Sequence, residues 1–144
     1  MGCGLCGGVH SKLAAENCPV NAQVLYGKED EARELAEILA KDKAFFDHSG
    51  GGVTFSGGEP LCQIDFIIET AKKLKQNGIH VAVDTSGVTF DGSKKYDELI
   101  SVVDLFLLDI KHIDGEKHRK ITGFSNENTL NFAKYLDKSN KEVK

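Results

Sequence analysis

Ser49-Gly50-Gly51-Gly52-Val53-Thr54-Phe55-Ser56-Gly57-Gly58-Glu59-Pro60 is the stretch that decides how this chain is read. Val53, Thr54 and Phe55 suit a strand, while Gly57 and Gly58 permit positive φ and let main chain come against a ligand with no Cβ in the way. Pro60 presets the first-turn φ of a following helix, which leaves free backbone N–H groups beside the carboxylate of Glu59. The stretch reads as a strand running into a turn able to hold a polar group with an amine and a carboxylate. An ordinary strand-to-helix connection would use the same residue types, so the flanking sequence has to arbitrate.

Beyond the turn, Ile64, Ile67, Ile68, Ala71 and Leu74 form a helical stripe that stops at Asn77-Gly78. Ile79 to Val83 follow as a strand ending in Asp84-Thr85-Ser86-Gly87. The pattern then repeats, with Tyr96, Leu99 and Ile100 on a short helix, Leu105 to Leu108 as a continuous apolar strand, and Asp109-Ile110-Lys111 at its end. Asp114 and Ser125 are the expected N-caps of two last helices, the second turning Leu130, Ala133 and Leu136 inward. Ahead of the glycine run, Ala32, Leu35, Ala36 and Leu39 recur at helical spacing between Glu29 and about Phe46. Strands that alternate with helices and read as buried on both faces give an α/β fold of parallel β/α units with right-handed crossovers.

Length and composition narrow the function classes. The 144 residues suit one domain, 28–144, behind a short cysteine-bearing lead, 1–27. A net charge of −4 without aromatic residues interleaved in basic runs argues against nucleic acid as a partner. No run of about eighteen apolar residues and no secretory h-region is present, so no membrane partner is expected and a reducing, cytoplasmic compartment is the default. There the four cysteines read as metal or redox ligands or as buried thiols. Cys3-Gly4-Leu5-Cys6 and Cys18-Pro19 read as the remnant of a ferredoxin-type run, Cys-x2-Cys-x2-Cys-x3-Cys-Pro, that is one ligand short. His10 is the nearest fourth ligand if the metal were zinc. Cys62 is expected to be a packed thiol, and His48, His80, His112 and His118 surface or capping residues.

Three successive strands each finish in polar residues: Glu59, then Asp84 with Thr85, then Asp109 with Lys111. In parallel β/α architectures the C-terminal strand ends are where ligand sites are built, so three carboxylates and a lysine should share one rim. A lone Asp at a strand end is more often a helix cap than a ligand; three in register beside a double glycine weaken that reading without naming the ligand.

These residues carry a resemblance. The glycine string with Gly57-Gly58-Glu59, then Asp84-Thr85-Ser86-Gly87, Leu108-Asp109-Ile110-Lys111 and Gly123-Phe124-Ser125-Asn126, resembles the glycyl-radical-enzyme activating enzymes. That family belongs to the radical S-adenosylmethionine (radical SAM) superfamily and includes the pyruvate formate-lyase activating enzymes. The resemblance runs from about Cys18 to the C-terminus. It implies a partial (β/α) barrel that binds SAM across its strand ends and cleaves it reductively with an electron from a [4Fe–4S] cluster. The resulting 5′-deoxyadenosyl radical takes a hydrogen from a glycine of a partner glycyl radical enzyme, and a flavodoxin or ferredoxin supplies the electron. By position, the resemblance places Gly57, Gly58 and Glu59 on the methionine amine, with Asp109, Ile110 and Lys111 on the nucleoside and carboxylate side. It likens Asp84, Thr85, Asp109 and the backbone of Leu107 to a monovalent-cation site, and Cys3, Cys6 and Cys18 to the ligands of a ferredoxin-like insert.

The chain departs from that family in one respect that matters for chemistry. The Cys-x3-Cys-x2-Cys run that holds the radical cluster does not occur in its 144 residues. The sequence accordingly reads as an internal portion of an activase, expected to bind SAM weakly and to generate no radical alone, because the electron has no route without the cluster. Two other readings stand beside it. One is a small iron–sulfur electron-transfer module built on Cys3, Cys6 and Cys18; the other is a non-catalytic protein that docks on a glycyl radical enzyme.

Overall fold

Short parallel strands separated by helices leave the chain few ways to wind. In the computed structural model, which describes residues 15–20, 27 and 29–144, four strands form one sheet: β1 (Gly52–Phe55), β2 (His80–Thr85), β3 (Leu105–Leu108) and β4 (Glu142–Val143). Their spatial order is β1-β2-β3-β4, and every pairing is parallel, with Val53 opposite Val81, Val83 opposite Phe106, and Phe106 opposite Val143. Spatial order that follows chain order, with right-handed crossovers throughout, puts the connecting helices on a single face. The α/β class and the parallel β/α units expected from the sequence are the observed ones.

Side chains alternate along each strand, and the register sorts them by face. Val53, Val81, Val83, Thr85 and Phe106 share the helix-covered face and are all buried. Thr54, His80 and Asp84 share the opposite face and are exposed; beside them Leu105 and Leu107 are half-buried, and Ala82 is buried. Burial on both faces, expected from the apolar run Leu105 to Leu108, is therefore not what forms. One-way winding covers one face and leaves the other open.

The helices follow their stripes. The helix expected from Glu29 to Phe46 is three pieces: α1 (Ala32–Leu39), a 3-10 turn (Ala40–Asp42) and α2 (Lys43–Ser49), the break falling where Asp42 leaves helical dihedrals at φ −88°, ψ 8°. Ala32 and Ala36 of α1 are buried, and α1 packs on α3 (Ile64–Gln76), which buries Ile67, Ile68, Thr70, Ala71 and Leu74. α4 (Lys94–Val102) buries Tyr96, Leu99, Ile100 and Val102. α5 (Gly115–Thr122) is capped as expected, the Asp114 carboxylate accepting the Lys117 N–H at 2.9 Å.

The last helix, α6 (Glu127–Lys138), differs from expectation in two ways. Asn126 occupies its N-cap, while the Ser125 hydroxyl accepts the Glu127 N–H at 3.2 Å. Its buried residues are Thr129, Phe132 and Leu136, whereas Leu130 and Ala133 are only half-buried. Phe132 turns the helix, because its ring completes an aromatic cluster with Phe90, Tyr96 and Phe106 at centroid distances of 5.1, 5.4 and 5.6 Å. Such pairs contribute about 0.5–1.5 kcal/mol each beyond their buried area.

Two contacts fix the sheet's N-terminal end. A Cβ on Gly52 would lie 2.1 Å from the His80 carbonyl oxygen, so β1 can approach β2 only with glycine there. Asp104, just before β3, accepts the Val81 N–H at 2.8 Å and both shortest contacts of Lys75 Nζ, at 2.6 and 2.8 Å. By contact the chain divides into two compact units, Met1–Asp30 and Glu31–Lys144, and the sheet belongs to the second.

Candidate functional site

Glu59 sits where β1 ends and the 3-10 turn Pro60–Gln63 begins, and its carboxylate joins two strand ends. Oε1 accepts the Leu61 N–H at 3.1 Å and the Thr85 hydroxyl at 2.6 Å. Oε2 accepts the Ser86 N–H at 3.0 Å and the Ser86 hydroxyl at 2.6 Å. Thr85 Oγ1 in turn accepts the Gly87 N–H at 2.9 Å. An ionised carboxylate has about four lone-pair sites, so this one is saturated within the protein. The glycine-rich turn after β1 and the Asp84-Thr85-Ser86-Gly87 turn after β2 are thereby held as one piece. Ser86 was not among the residues expected at the site, and the hydroxyl immediately after Asp-Thr was the only signal that could have marked it.

A side chain that is already occupied has little to offer a ligand, which moves the interest to the backbone beside it. Gly57 adopts φ +120°, a conformation open to glycine, whereas Gly58 does not take positive φ as the sequence suggested. No atom lies within 4 Å of where a Cβ would stand on either residue, so both peptide units are approachable.

The other expected residues divide by face. Thr85 is buried on the helix side of the sheet, bonded to Glu59, while the alternation along β2 turns Asp84 to the open face. The Asp84 carboxylate is exposed and makes no hydrogen bond or ion pair with the described residues. Asp109 continues the ladder past β3, its N–H donating to the Thr85 carbonyl at 2.9 Å, so by the same alternation it shares the open face with Leu107 and Asp84. Lys111 is ion-paired with Asp109, and Ile110 between them is partly exposed. Gly57, Gly58, Asp84, Asp109, Ile110 and Lys111 thus lie on one rim, with Glu59 and Thr85 behind it as its clasp.

Chemically, the open side of this rim offers what a zwitterion needs: approachable main chain, an unpaired carboxylate for an ammonium, and a lysine for a carboxylate. Below the rim on the helix side, a cleft of about 630 Å³ is lined by residues including Cys62, Asp91, Lys95 and Tyr96. Burial raises the Tyr96 hydroxyl above its ordinary pKa despite its contact with Thr89 Oγ1 at 3.2 Å.

Cysteine and histidine require corrections. Cys62 is exposed on the 3-10 turn and not a packed thiol, because that turn presents Leu61 to the core in its place. His118, expected at the surface or as a cap, is buried on α5, its Nδ1 donating to the Phe124 carbonyl just past the helix end at 3.0 Å and lying 3.1 Å from Thr122 Oγ1. Cys18 is half-buried in the lead unit, and its N–H donates to the Ala15 carbonyl at 3.3 Å. Cys3, Cys6 and His10 lie outside the described residues. Among the described residues no group of three or more His, Cys, Asp or Glu side chains is placed to hold a metal ion. The donor set on the rim therefore fits a zwitterionic organic molecule and not an iron–sulfur cluster. No helix among the described residues is long and apolar enough to cross a membrane.

Similarity to known proteins addresses the family of the chain and leaves the roles of the rim's residues untouched. Residues 2–144 match the family profile described as the Radical SAM superfamily. The pyruvate formate-lyase-activating enzyme of Clostridium pasteurianum is 42% identical over 138 residues, covering 95% of this chain and 54% of that protein. Its counterpart in Listeria monocytogenes is 46% identical over 114 residues, covering 76% of this chain and 46% of that protein. The trans-4-hydroxy-L-proline dehydratase activating enzyme of Clostridioides difficile is 45% identical over 117 residues, 81% of this chain and 38% of that protein. Among solved structures, a domain of the pyruvate-formate lyase-activating enzyme from Bacteroides vulgatus superposes with a TM-score of 0.59 at 33% identity, over 65% of this chain and 56% of that one. The chain spans about half the length of the curated relatives it matches. On the profile match over nearly its whole length, joined to the parallel β/α sheet and its strand-end rim, the chain belongs to the radical SAM superfamily.

Proposed function

We propose that this chain forms the cofactor-holding part of a glycyl-radical-enzyme activating enzyme, and that its rim binds S-adenosylmethionine. The observation that carries the reading is the pairing of a saturated clasp with an unsaturated open side. Glu59 holds two turns together on the helix side, and the exposed carboxylates of Asp84 and Asp109 stand on the other. In this reading the main-chain groups of Gly57 and Gly58 and the carboxylate of Asp84 receive the methionine ammonium. Lys111, drawn from Asp109, receives the methionine carboxylate, and Ile110 packs against the nucleoside. Glu59 acts through the turn it fixes and does not touch the ligand.

Bound SAM supplies a sulfonium that, on one-electron reduction, yields a 5′-deoxyadenosyl radical able to abstract hydrogen from a glycine of the partner enzyme. This chain's part is to hold and orient that cofactor on the open face. The electron has to come through a [4Fe–4S] cluster, and neither Cys18 nor Cys62 belongs to a cluster-binding group among the described residues. In this reading the chain binds and orients SAM, and the cluster that would supply the electron is held by a Cys-x3-Cys-x2-Cys run that does not occur in these 144 residues. Residues 1–27 carry Cys3, Cys6 and Cys18 as the remnant of a ferredoxin-like insert, and the full activity takes a flavodoxin or ferredoxin as electron donor.

Calorimetric titration of the chain with SAM tests the assignment. Measurable binding is expected, weakened at least about tenfold by Asp84→Ala with Lys111→Ala, the loss of roughly 1.4 kcal/mol that one charge-assisted contact can supply. Binding that the double substitution leaves unchanged would remove the rim from the account. Anaerobic incubation with iron and sulfide tests the other reading, a small iron–sulfur module on the lead: visible absorbance that Cys18→Ala abolishes would support it, and absorbance indifferent to that substitution would refute a cluster there.

A further inference from the structure

The first turn of α6 reaches two of the three strand-end loops through polar side chains. Asn126, buried at the N-cap, makes no side-chain bond to the helix it begins. Its Nδ2 donates instead to consecutive carbonyls of the segment after β3, His112 at 3.1 Å and Ile113 at 2.7 Å. Thr129, also buried, donates from Oγ1 to the Ser86 carbonyl at 2.7 Å, and exposed Asn128 donates from Nδ2 to the Val88 carbonyl at 2.8 Å. All four acceptors are main-chain oxygens in the turn after β2 or just past Lys111.

These bonds complete what Glu59 begins. The segment carrying Lys111 is pinned at both ends, the Asp109 N–H donating to the Thr85 carbonyl before it and Asn126 holding the His112 carbonyl after it. Only Ile110 and Lys111 lie between the two anchors. The turn after β2 is likewise held from two sides, since Glu59 accepts the N–H and hydroxyl of Ser86 while Thr129 donates to its carbonyl. Gly87 closes that contact: at φ +66° a Cβ there would stand 2.9 Å from the Phe132 ring of α6. Phe132 and Leu136 already supply the apolar face of α6, so a buried amide and a buried hydroxyl add direction and not area. Buried donors left without their acceptors are costly, which fixes the loops in this one arrangement.

We propose that Asn126 and Thr129 are positioning residues for cofactor binding, Asn126 acting through Lys111 and Thr129 through the turn that follows Asp84. This rests on the reading of the rim as the S-adenosylmethionine site. Both residues are buried, so neither touches the ligand. What they contribute is a preset backbone on either side of Lys111 and beside Asp84, which lowers the ordering cost that binding would otherwise carry.

Calorimetric titration with SAM tests this on variants that circular dichroism shows to be folded at the titration temperature. Asn126→Ala should weaken binding about three- to tenfold, the worth of one ordering hydrogen bond. In a Lys111→Ala background the same change should have no further effect, because a residue that acts through the Lys111 ammonium has nothing left to position. If Asn126→Ala does not fold, Asn126→Ser, which keeps a donor, takes its place in the same cycle. Thr129→Val should weaken binding by a smaller factor, and Thr129→Ser, which keeps the hydroxyl, should return it to the parent's value. A lower melting temperature with SAM affinity unchanged at both positions would make the two residues purely structural and overturn the inference. So would a loss at Asn126 that is equally large with and without the Lys111 side chain. Either result leaves the cofactor reading standing, whereas failure of the parent chain to bind SAM overturns that reading and this inference with it.

Discussion

Glu59, expected from the sequence to contact a ligand, is hydrogen-bonded to Thr85 and Ser86 and so clasps two strand ends together. Its spacing from Gly57 and Gly58 was legible; its commitment to Thr85 and Ser86 was not, because a contact across 26 or 27 residues has no local signature. Glu59→Ala would strip the Thr85 and Ser86 hydroxyls and the Leu61 and Ser86 N–H groups of their acceptor, and unfolding in urea should show a loss of about 1–3 kcal/mol. Thr85→Val breaks the same network, so the two changes together should cost clearly less than their sum. Strict additivity would mean that the residues act independently. Asp104 offers a second test. Burial by itself would raise its carboxyl, but the Lys75 ammonium and the Val81 N–H outweigh that and hold it below 3.8. A lowered folded pKa means that the contribution to stability is present at neutral pH and is lost as pH falls through the lowered value. Asp104→Asn should therefore destabilise by about 1–2 kcal/mol at pH 7, with the gap to the parent closing in acid. Tyr135 is the alkaline counterpart, pushed up to about 12 by burial and then by the Asp97 carboxylate that accepts its hydroxyl. Whatever that link contributes is complete below the ordinary tyrosine value of 10.0 and disappears as pH climbs toward 12.

Element by element, the sequence was most legible where periodicity and a terminal signal agreed. The stripe Ile64 to Leu74 ending at Asn77-Gly78 gave α3 nearly to the residue, and Leu105 to Leu108 is β3. It was least legible where tertiary packing chose among equivalent apolar positions. On α6 both Leu130 and Phe132 could have faced inward, and the ring cluster around Phe90, Tyr96 and Phe106 selected Phe132. Phe132→Ala should cost about 3–5 kcal/mol, read from the denaturation midpoint. Leu130→Ala, half-buried, should cost visibly less. β4 went unread because two residues carry no period. Gly52 looked like one more member of a glycine string, yet its place against His80 makes it the member the sheet depends on. Gly52→Ala should force β1 from β2 and destabilise by about 3 kcal/mol or more, as overpacking against rigid backbone does. Gly50→Ala should cost much less, since nothing lies near its Cβ position and its left-handed φ of 68° is the only obstacle.

At the scale of the whole molecule, one-way winding explains why a sheet of parallel strands has a covered face and an open one. The three polar strand ends were legible in the sequence; their division into the Glu59 clasp on the helix side and, on the other side, Asp84 with the Lys111-paired Asp109 follows from register, which alternation reveals only once pairing is known. The central claim is that S-adenosylmethionine sits on the open side of that rim. The most direct measurement is the shift of backbone amide resonances during titration with SAM. The account expects the perturbed amides to cluster at Gly57 to Glu59, Asp84 to Gly87 and Leu107 to Lys111, with α1, α3 and α4 silent. Perturbations confined to the helix-covered face, or none at saturating SAM, would contradict it.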